Sequence, residues 1–316
     1  MSILRATLAI ALAGALAGAA QVACGKSEDD ASATGTTDAS TAGDGAAEDA
    51  DRRDDVVLGP PVDAALPRPP SRIWAHTASE LYRFDPEAKT LTRVGAFTGL
   101  DTTPLDLAEA RDGGLYVSTY TGLFRVDPAT AAATRLSPDS GVVTFLNSLA
   151  FVPAGTLDPN DETLVGYVQG DGGLVDRYVR VDRVTGALTP VGSLNAPDAA
   201  VTYTLSGDLV SLARDHGRTF IAASQSSPPR APDAGFDQVV EVDPVSGRAM
   251  GVVGNFSEPY IWGLGYWNGT FYGFAMSGNV VAVPSPAPDA SVASLSALDG
   301  GMWFGAGVTN DAPLSP

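Results

Sequence analysis

Leu81-Tyr82-Arg83-Phe84-Asp85-Pro86, Leu123-Phe124-Arg125-Val126-Asp127-Pro128, Tyr178-Val179-Arg180-Val181-Asp182-Arg183 and Val239-Val240-Glu241-Val242-Asp243-Pro244 share one pattern: a short apolar strand, a charged residue two places before a closing Asp, and in three cases Pro. The Asp recurs after 42, 55 and 61 residues, and a degenerate copy, Val280-Val281-Ala282-Val283-Pro284, follows 41 residues after Asp243. β-rich units repeating at this interval predict small sheets set radially or in a stack rather than one unique core.

Three further kinds of strand accompany each marker. An apolar strand bearing Gly or Ala precedes it at Leu105–Ala108, Leu149–Val152, Leu209–Ala213 and Ile261–Tyr266. Turns such as Arg111-Asp112-Gly113-Gly114 and Trp267-Asn268-Gly269 follow, where Asp-Gly and Asn-Gly accept the positive φ of a tight hairpin. An aromatic strand comes next, at Ile73–His76, Leu115–Ser118, Leu164–Tyr167, Phe220–Ala223 and Phe271–Phe274. The marker strand is then stopped by Pro, which has no N–H to give a ladder, and an outer strand follows at Leu91–Gly95, Thr134–Leu136, Leu188–Val191 and Ala249–Val253.

Four antiparallel strands in succession, about 45 to 50 residues per unit, make a propeller blade. The fold class is all-β, a propeller of five four-stranded blades. Residues 72 to 95 supply only the second, third and fourth strands of the first blade, and Met302–Val308 reads as the missing first strand. Pairing the two chain ends would close the ring and cover exposed edges. Alternatively Leu298-Asp299-Gly300-Gly301, which resembles Arg111–Gly114, would make Met302–Val308 a second strand, shift the closure and leave a count of six open.

The N-terminal part has a different composition. Arg5 precedes an apolar run, Ala6 to Ala20, too short for a spanning helix and suited to a signal peptide over residues 1–23. Val22-Ala23-Cys24-Gly25 holds the only cysteine, so the domain has no internal disulfide. This segment resembles the lipobox of bacterial lipoproteins, with Gln21 where that family carries an apolar residue. The resemblance implies lipidation of Cys24, a membrane anchor and residence in the bacterial envelope; Gly25 after the cysteine implies the outer membrane. Residues 24–71, rich in Asp, Ala, Thr, Ser and Gly and closed by five prolines from Pro60 to Pro70, read as a disordered acidic linker. About 47 such residues reach about 35 to 40 Å.

The net charge of −18 comprises −12 from residues 72–316, with 14 basic and 26 acidic side chains, and such a field repels nucleic acid. Two histidines, His76 and His216, and one cysteine make a transition-metal centre a poor reading. Gly-x-Ser-x-Gly elbows and phosphate loops are absent from the sequence. The marker aspartates read as turn residues that accept backbone N–H bonds.

Over residues 72–316 the repeat pattern resembles bacterial propellers related to lactonase and quinoprotein-like repeats. With the signal segment and the ending Gly305-Ala306-Gly307-Val308-Thr309, the chain is similar to a group of myxobacterial-type exported lipoproteins. That resemblance implies architecture and address but no activity.

Each connection read as joining two blades carries one acid: Asp101, Asp139, Asp198, Glu258 and Asp289. These acids could line one face of the ring and offer oxygen ligands to Ca²⁺, the one cofactor the sequence leaves room for. Tyr260 and Trp262 lead the richest aromatic cluster, Tyr260–Trp267, and are the candidate stacking residues, although core packing explains most of that cluster. Asp101, Asp139, Asp198, Glu258, Tyr260 and Trp262 are therefore the candidate ligand-binding set. The expected function is an envelope-anchored binding or scaffolding module for an envelope protein or a carbohydrate; the alternative is a glycoside or lactone hydrolase using loop carboxylates, with Ca²⁺ as an aid.

Overall fold

The computed structural model describes residues 72–137, 146–168, 176–228, 236–285 and 301–315, and the backbone of 292–297. The signal segment, Cys24, the linker, Asp139 and Asp289 lie outside the described residues.

Five four-stranded antiparallel sheets form the domain. The first blade contains β1 (Ile73–His76), β2 (Glu80–Asp85) and β3 (Thr90–Ala96). The second contains β4 (Pro104–Glu109), β5 (Leu115–Thr119), β6 (Leu123–Val126) and β7 (Ala133–Arg135), and the third β8 (Leu146–Val152), β9 (Thr163–Val168), β10 (Arg177–Val181) and β11 (Leu188–Ser193). The fourth contains β12 (Thr202–Leu212), β13 (Arg218–Ser227), β14 (Gln238–Val242) and β15 (Ala249–Asn255), and the fifth β16 (Ile261–Trp267), β17 (Thr270–Ala275), β18 (Asn279–Pro284) and β19 (Val292–Ala297). β20 (Gly305–Gly307) completes the first blade, in the order β20-β1-β2-β3. The first strands β4, β8, β12, β16 and β20 meet one another in a closed circle around the axis. The fold is thus a five-bladed propeller.

Closure follows the first of the two readings. β20 runs antiparallel to β1, with Trp74 opposite Gly307, Ala75 opposite Ala306 and His76 opposite Gly305. Trp303 locks the join: fully buried, it donates its indole N–H to the Gly278 carbonyl (2.7 Å) and lies edge-on to Tyr82 and Phe274. Burying such a side chain stabilises the closed ring by roughly 2 to 3 kcal/mol. The apolar packing lies between blades, and the largest cluster joins the fourth, fifth and first.

Turn chemistry agrees with the sequence. Asp85, Asp127, Asp182 and Asp243 each accept from the backbone N–H two residues on, at 2.9, 2.7, 2.8 and 2.9 Å. The Thr185 backbone N–H (2.8 Å) and then that of Val184 hold the Asp182 carboxyl below the usual carboxylate range. Asn268 and Gly269 turn the β16–β17 hairpin with φ of 47° and 79°.

Three features differ from the sequence reading. β12 starts at Thr202, seven residues before the expected Leu209, because its register shift between Leu205 and Leu209 conceals the polar first half. β19, Val292–Ala297, carries no marker ending, aromatic or glycine turn and so lies where the sequence pattern places no strand. The segment containing Asp289 joins β18 to β19 within one blade and is no connection between blades.

Alternation of strand direction gives the ring two unlike faces. The upper face carries the connections between blades and the turns from second to third strands. The lower face carries the remaining hairpins, the entry of the chain at Arg72 and the tail after β20.

Candidate functional site

The axis is built from one position repeated five times. Asp106, Ser148, Asp208, Gly263 and Gly305 take equivalent places on the first strands, followed by Leu107, Leu149, Leu209, Leu264 and Ala306. In β4, β8, β12 and β16 the ladder register shifts at this level, which frees inner N–H groups from strand pairing. Two carboxyl groups collect them. Asp106 accepts from Leu107 N (2.8 Å) and from Leu149, and Asp208 accepts from Leu209 N (2.6 Å), Ala306 N (3.3 Å) and Leu264 N (3.5 Å). The axis is therefore closed by side chains from the second and fourth blades that bind backbone from all five.

Both carboxyls are fully buried and lie in contact with each other. Burial first, and then the neighbouring charge, push Asp106 well above the usual carboxylate range; burial pushes Asp208 up to about 8. Two ionised carboxylates have no donor to share, so a proton between them completes the contact. His76 on β1 adjoins this pair: a Cβ at Gly305 would stand 2.5 Å from Asp106 Oδ1 and 2.6 Å from His76 Nε2. Only glycine fits between these groups. His76 Nδ1 lies 3.0 Å from the Thr77 carbonyl and so carries the hydrogen, which leaves Nε2 as an acceptor. Burial lowers the His76 pKa to about 4, so the ring is neutral at physiological pH.

The candidate loop residues sit above, on the upper face. Asp101 pairs with Arg135 and accepts from the Thr119 and Thr121 hydroxyls. Glu258 accepts from Ser277 Oγ (2.5 Å) and Asn279 Nδ2 (2.6 Å). Asp198 is exposed in the β11–β12 connection. Tyr260, 59% exposed, stands on a left-handed residue (φ 58°), and Trp262 packs edge-on to Phe304 with ring centres 5.3 Å apart. Glu258, Tyr260 and Trp262 thus share the entry to β16, whereas Asp101 and Asp198 belong to other connections. Ca²⁺ takes six to eight oxygens; among the described residues no group of three or more His, Cys, Asp or Glu side chains converges on one point.

Sequence reasoning missed Asp106, Asp208 and the axial role of His76. Their signal was an Asp before Leu inside otherwise apolar first strands, Leu105-Asp106-Leu107 and Gly207-Asp208-Leu209.

The lower face holds a polar cleft of about 610 Å³ beside the β8–β9 hairpin. Its charges satisfy one another. Glu162 accepts from Arg111 N (2.9 Å) and Asn310 Nδ2 (3.1 Å), Arg111 pairs with Asp311 (2.9 Å), and Arg183 pairs with Asp161 and lies over the Phe151 ring.

No protein-family model matches the chain, and no curated protein matches it. Solved structures similar to it include a chain of a nidogen/laminin complex (TM-score 0.46, 11% identity, 78% of this chain and 82% of that one). A protein of unknown function from Bacteroides caccae gives a TM-score of 0.39 at 11% identity, over 76% and 98% of the two chains. TolB from Acinetobacter baumannii gives 0.39 at 14%, over 75% and 54%. At these values the likeness adds nothing to what the strand order establishes.

Proposed function

We propose that this propeller is an exported, lipid-anchored binding module of the bacterial envelope, held at Cys24 by a linker of residues 24–71 and recognising its ligand with the upper face. The observation that carries the reading is the asymmetry of the ring. The described chain enters at Arg72 and ends on the lower face, while Tyr120, Val201, Phe236, Tyr260 and Met302, five of the nine exposed large apolar side chains among the described residues, stand on upper connections. Exposed apolar groups on the face opposite the chain's entry at Arg72 mark an interaction surface. Asp101 and Glu258 are engaged in holding loops, and the axial carboxyl pair is buried, which favours recognition over hydrolysis.

Fractionation of a Gram-negative host expressing the full chain tests the anchor: wild type is expected in the outer membrane and Cys24→Ser in the soluble periplasm. A wild-type protein found wholly soluble sinks it. Co-sedimentation of the detergent-purified chain with peptidoglycan sacculi and with outer-membrane vesicles tests the face, with loss expected for Tyr260→Asn. Turnover of aryl glycosides or lactones that disappears in Asp101→Asn and Glu258→Gln would instead establish the hydrolase.

A further inference from the structure

We propose that a cavity on the upper face, between the β1–β2 turn and the segment leading into β20, binds one neutral sugar ring of a glycan, an inference that rests on the binding-module reading and names the chemistry of its ligand. The cavity holds about 300 Å³, and its lining includes Thr77, Ser79, Glu80, Tyr82, Met302 and Phe304. That volume is at the small end of the roughly 300 to 1,000 Å³ of ligand pockets and suits a single ring with its substituents. Both walls are fixed in place by the protein itself. Thr77 donates its N–H to the Glu80 carbonyl (3.0 Å), and Thr77 Oγ1 accepts from the N–H groups of Ser79 (3.3 Å) and Glu80 (3.0 Å). Opposite, Phe304 donates its N–H to the His76 carbonyl (2.9 Å), and its ring lies edge-on to Trp262.

Charge is cancelled within this lining. Glu80, which opens β2, accepts from Arg93 Nε (2.9 Å) and Nη2 (2.7 Å) on one oxygen and from the Tyr82 hydroxyl (2.6 Å) on the other. The Arg93 bonds first, and then the Tyr82 hydroxyl, hold this carboxyl below the usual carboxylate range, so it stays an ionised acceptor. The Thr77 and Ser79 hydroxyls, in contrast, donate to nothing among the described residues, and Ser79 is exposed. The facing wall is apolar: Met302 is 43% exposed and Phe304 half-buried. A cationic ligand meets a carboxylate that already has its arginine, and an anionic one meets the domain's net −12. A purely apolar side chain would bury two hydroxyls without partners. A sugar ring satisfies both walls. Its C–H face lies against the ring and thioether surface, and its hydroxyls, donors and acceptors at once, exchange bonds with Thr77, Ser79 and Glu80.

Saturation-transfer difference NMR tests this with the full chain in a detergent free of sugar headgroups, against cellotetraose, maltotetraose, chitotetraose and the anionic tetragalacturonate. At least one neutral tetramer is expected to bind saturably, with an affinity that added NaCl leaves unchanged, and the anionic tetramer to stay free. Phe304→Leu, which keeps apolar bulk without a ring, and Ser79→Ala are each expected to weaken that binding about three- to tenfold. The lower-face variant Val245→Ser is expected to leave it unchanged, and circular dichroism confirms the fold of each variant. Failure of every neutral tetramer to bind, preferential binding of the anionic one, or either cavity variant matching wild type overturns the proposal. When any of these results accompanies Tyr260-dependent retention on sacculi or vesicles, the sugar site falls and the binding module stands. If sacculi, vesicles and tetramers all fail to bind, both fall.

Discussion

On the lower face five acids have arginines against them, Asp112 with Arg125, Asp158 with Arg180, Asp161 with Arg183, Asp215 with Arg218 and Asp311 with Arg111, while the marker aspartates Asp85, Asp127, Asp182 and Asp243 hold backbone N–H groups. On the upper face the acids are held by serine hydroxyls, amide groups and backbone N–H, with Asp101–Arg135 the exception. Each exposed ion pair contributes at most about 1 kcal/mol, so the difference weighs little on stability and concerns how the loops are held. The lower face carries most of the ion pairs, together with the chain's entry at Arg72 and the tail after β20. The upper face has the single pair Asp101–Arg135 among its described connections and displays Tyr120 and Tyr260.

The largest way to break this comparison is to open the ring that separates the faces. Truncation after Gly301 removes Trp303, β20 and the Ala306 N–H bond to Asp208; cooperative urea unfolding is expected to vanish. A folded, monomeric truncation would show that the ends do not close the ring. Next is Asp208→Ala, which strands the N–H groups of Leu209, Leu264 and Ala306. A loss of about 3 to 5 kcal/mol is expected in urea titration, against about 1 to 2 for Asp208→Asn, which keeps an acceptor.

Titration sharpens the comparison at the axis. A carboxyl whose folded pKa is raised holds a proton that the unfolded chain has already released. Its contribution is full below about pH 4 and declines toward about 8, by about 1.4 kcal/mol per pH unit for each proton held. His76 runs the other way: with a folded pKa of about 4 against 6.5, its contribution is full above 6.5 and is lost as pH falls through 4. The two slopes oppose between pH 4 and 6.5, and only the carboxyl slope remains above. His76→Gln is expected to reveal a steady decline beginning near pH 4, read from denaturation midpoints across pH; an unchanged profile would remove His76 from this balance.

The smallest effects distinguish the faces themselves. Arg111→Ala and Arg183→Ala are each expected to lower stability by about 0.5 to 1 kcal/mol, whereas Tyr260→Asn stays within about 0.5. A destabilising Tyr260→Asn would mean that this side chain supports the fold instead of facing a ligand.

The blades were legible because Asp-Pro endings and Asn-Gly or Asp-Gly turns impose local backbone geometry that needs no partner to be read. The closure was legible through residues 72–95, a blade short of one strand, together with an apolar segment near Trp303. The axial pair was harder to see. Asp106 and Asp208 lie about a hundred residues apart in the chain, and what joins them is a register shift repeated around the ring, visible only once five strands stand side by side. The face on which each loop acid stands depends on strand count alone, so Asp289, which precedes the weakly patterned β19, reads as part of a connection between blades although its segment joins β18 to β19.

Completion of the first sheet by β20 also sets an order of events. β1, β2 and β3 emerge from the ribosome more than two hundred residues before the strand that belongs beside them, so the opening sheet waits with a bare inner edge until Gly307 has been synthesised. A molecule assembled this way stays unlatched for nearly its whole passage off the ribosome and snaps shut only when its last strand arrives.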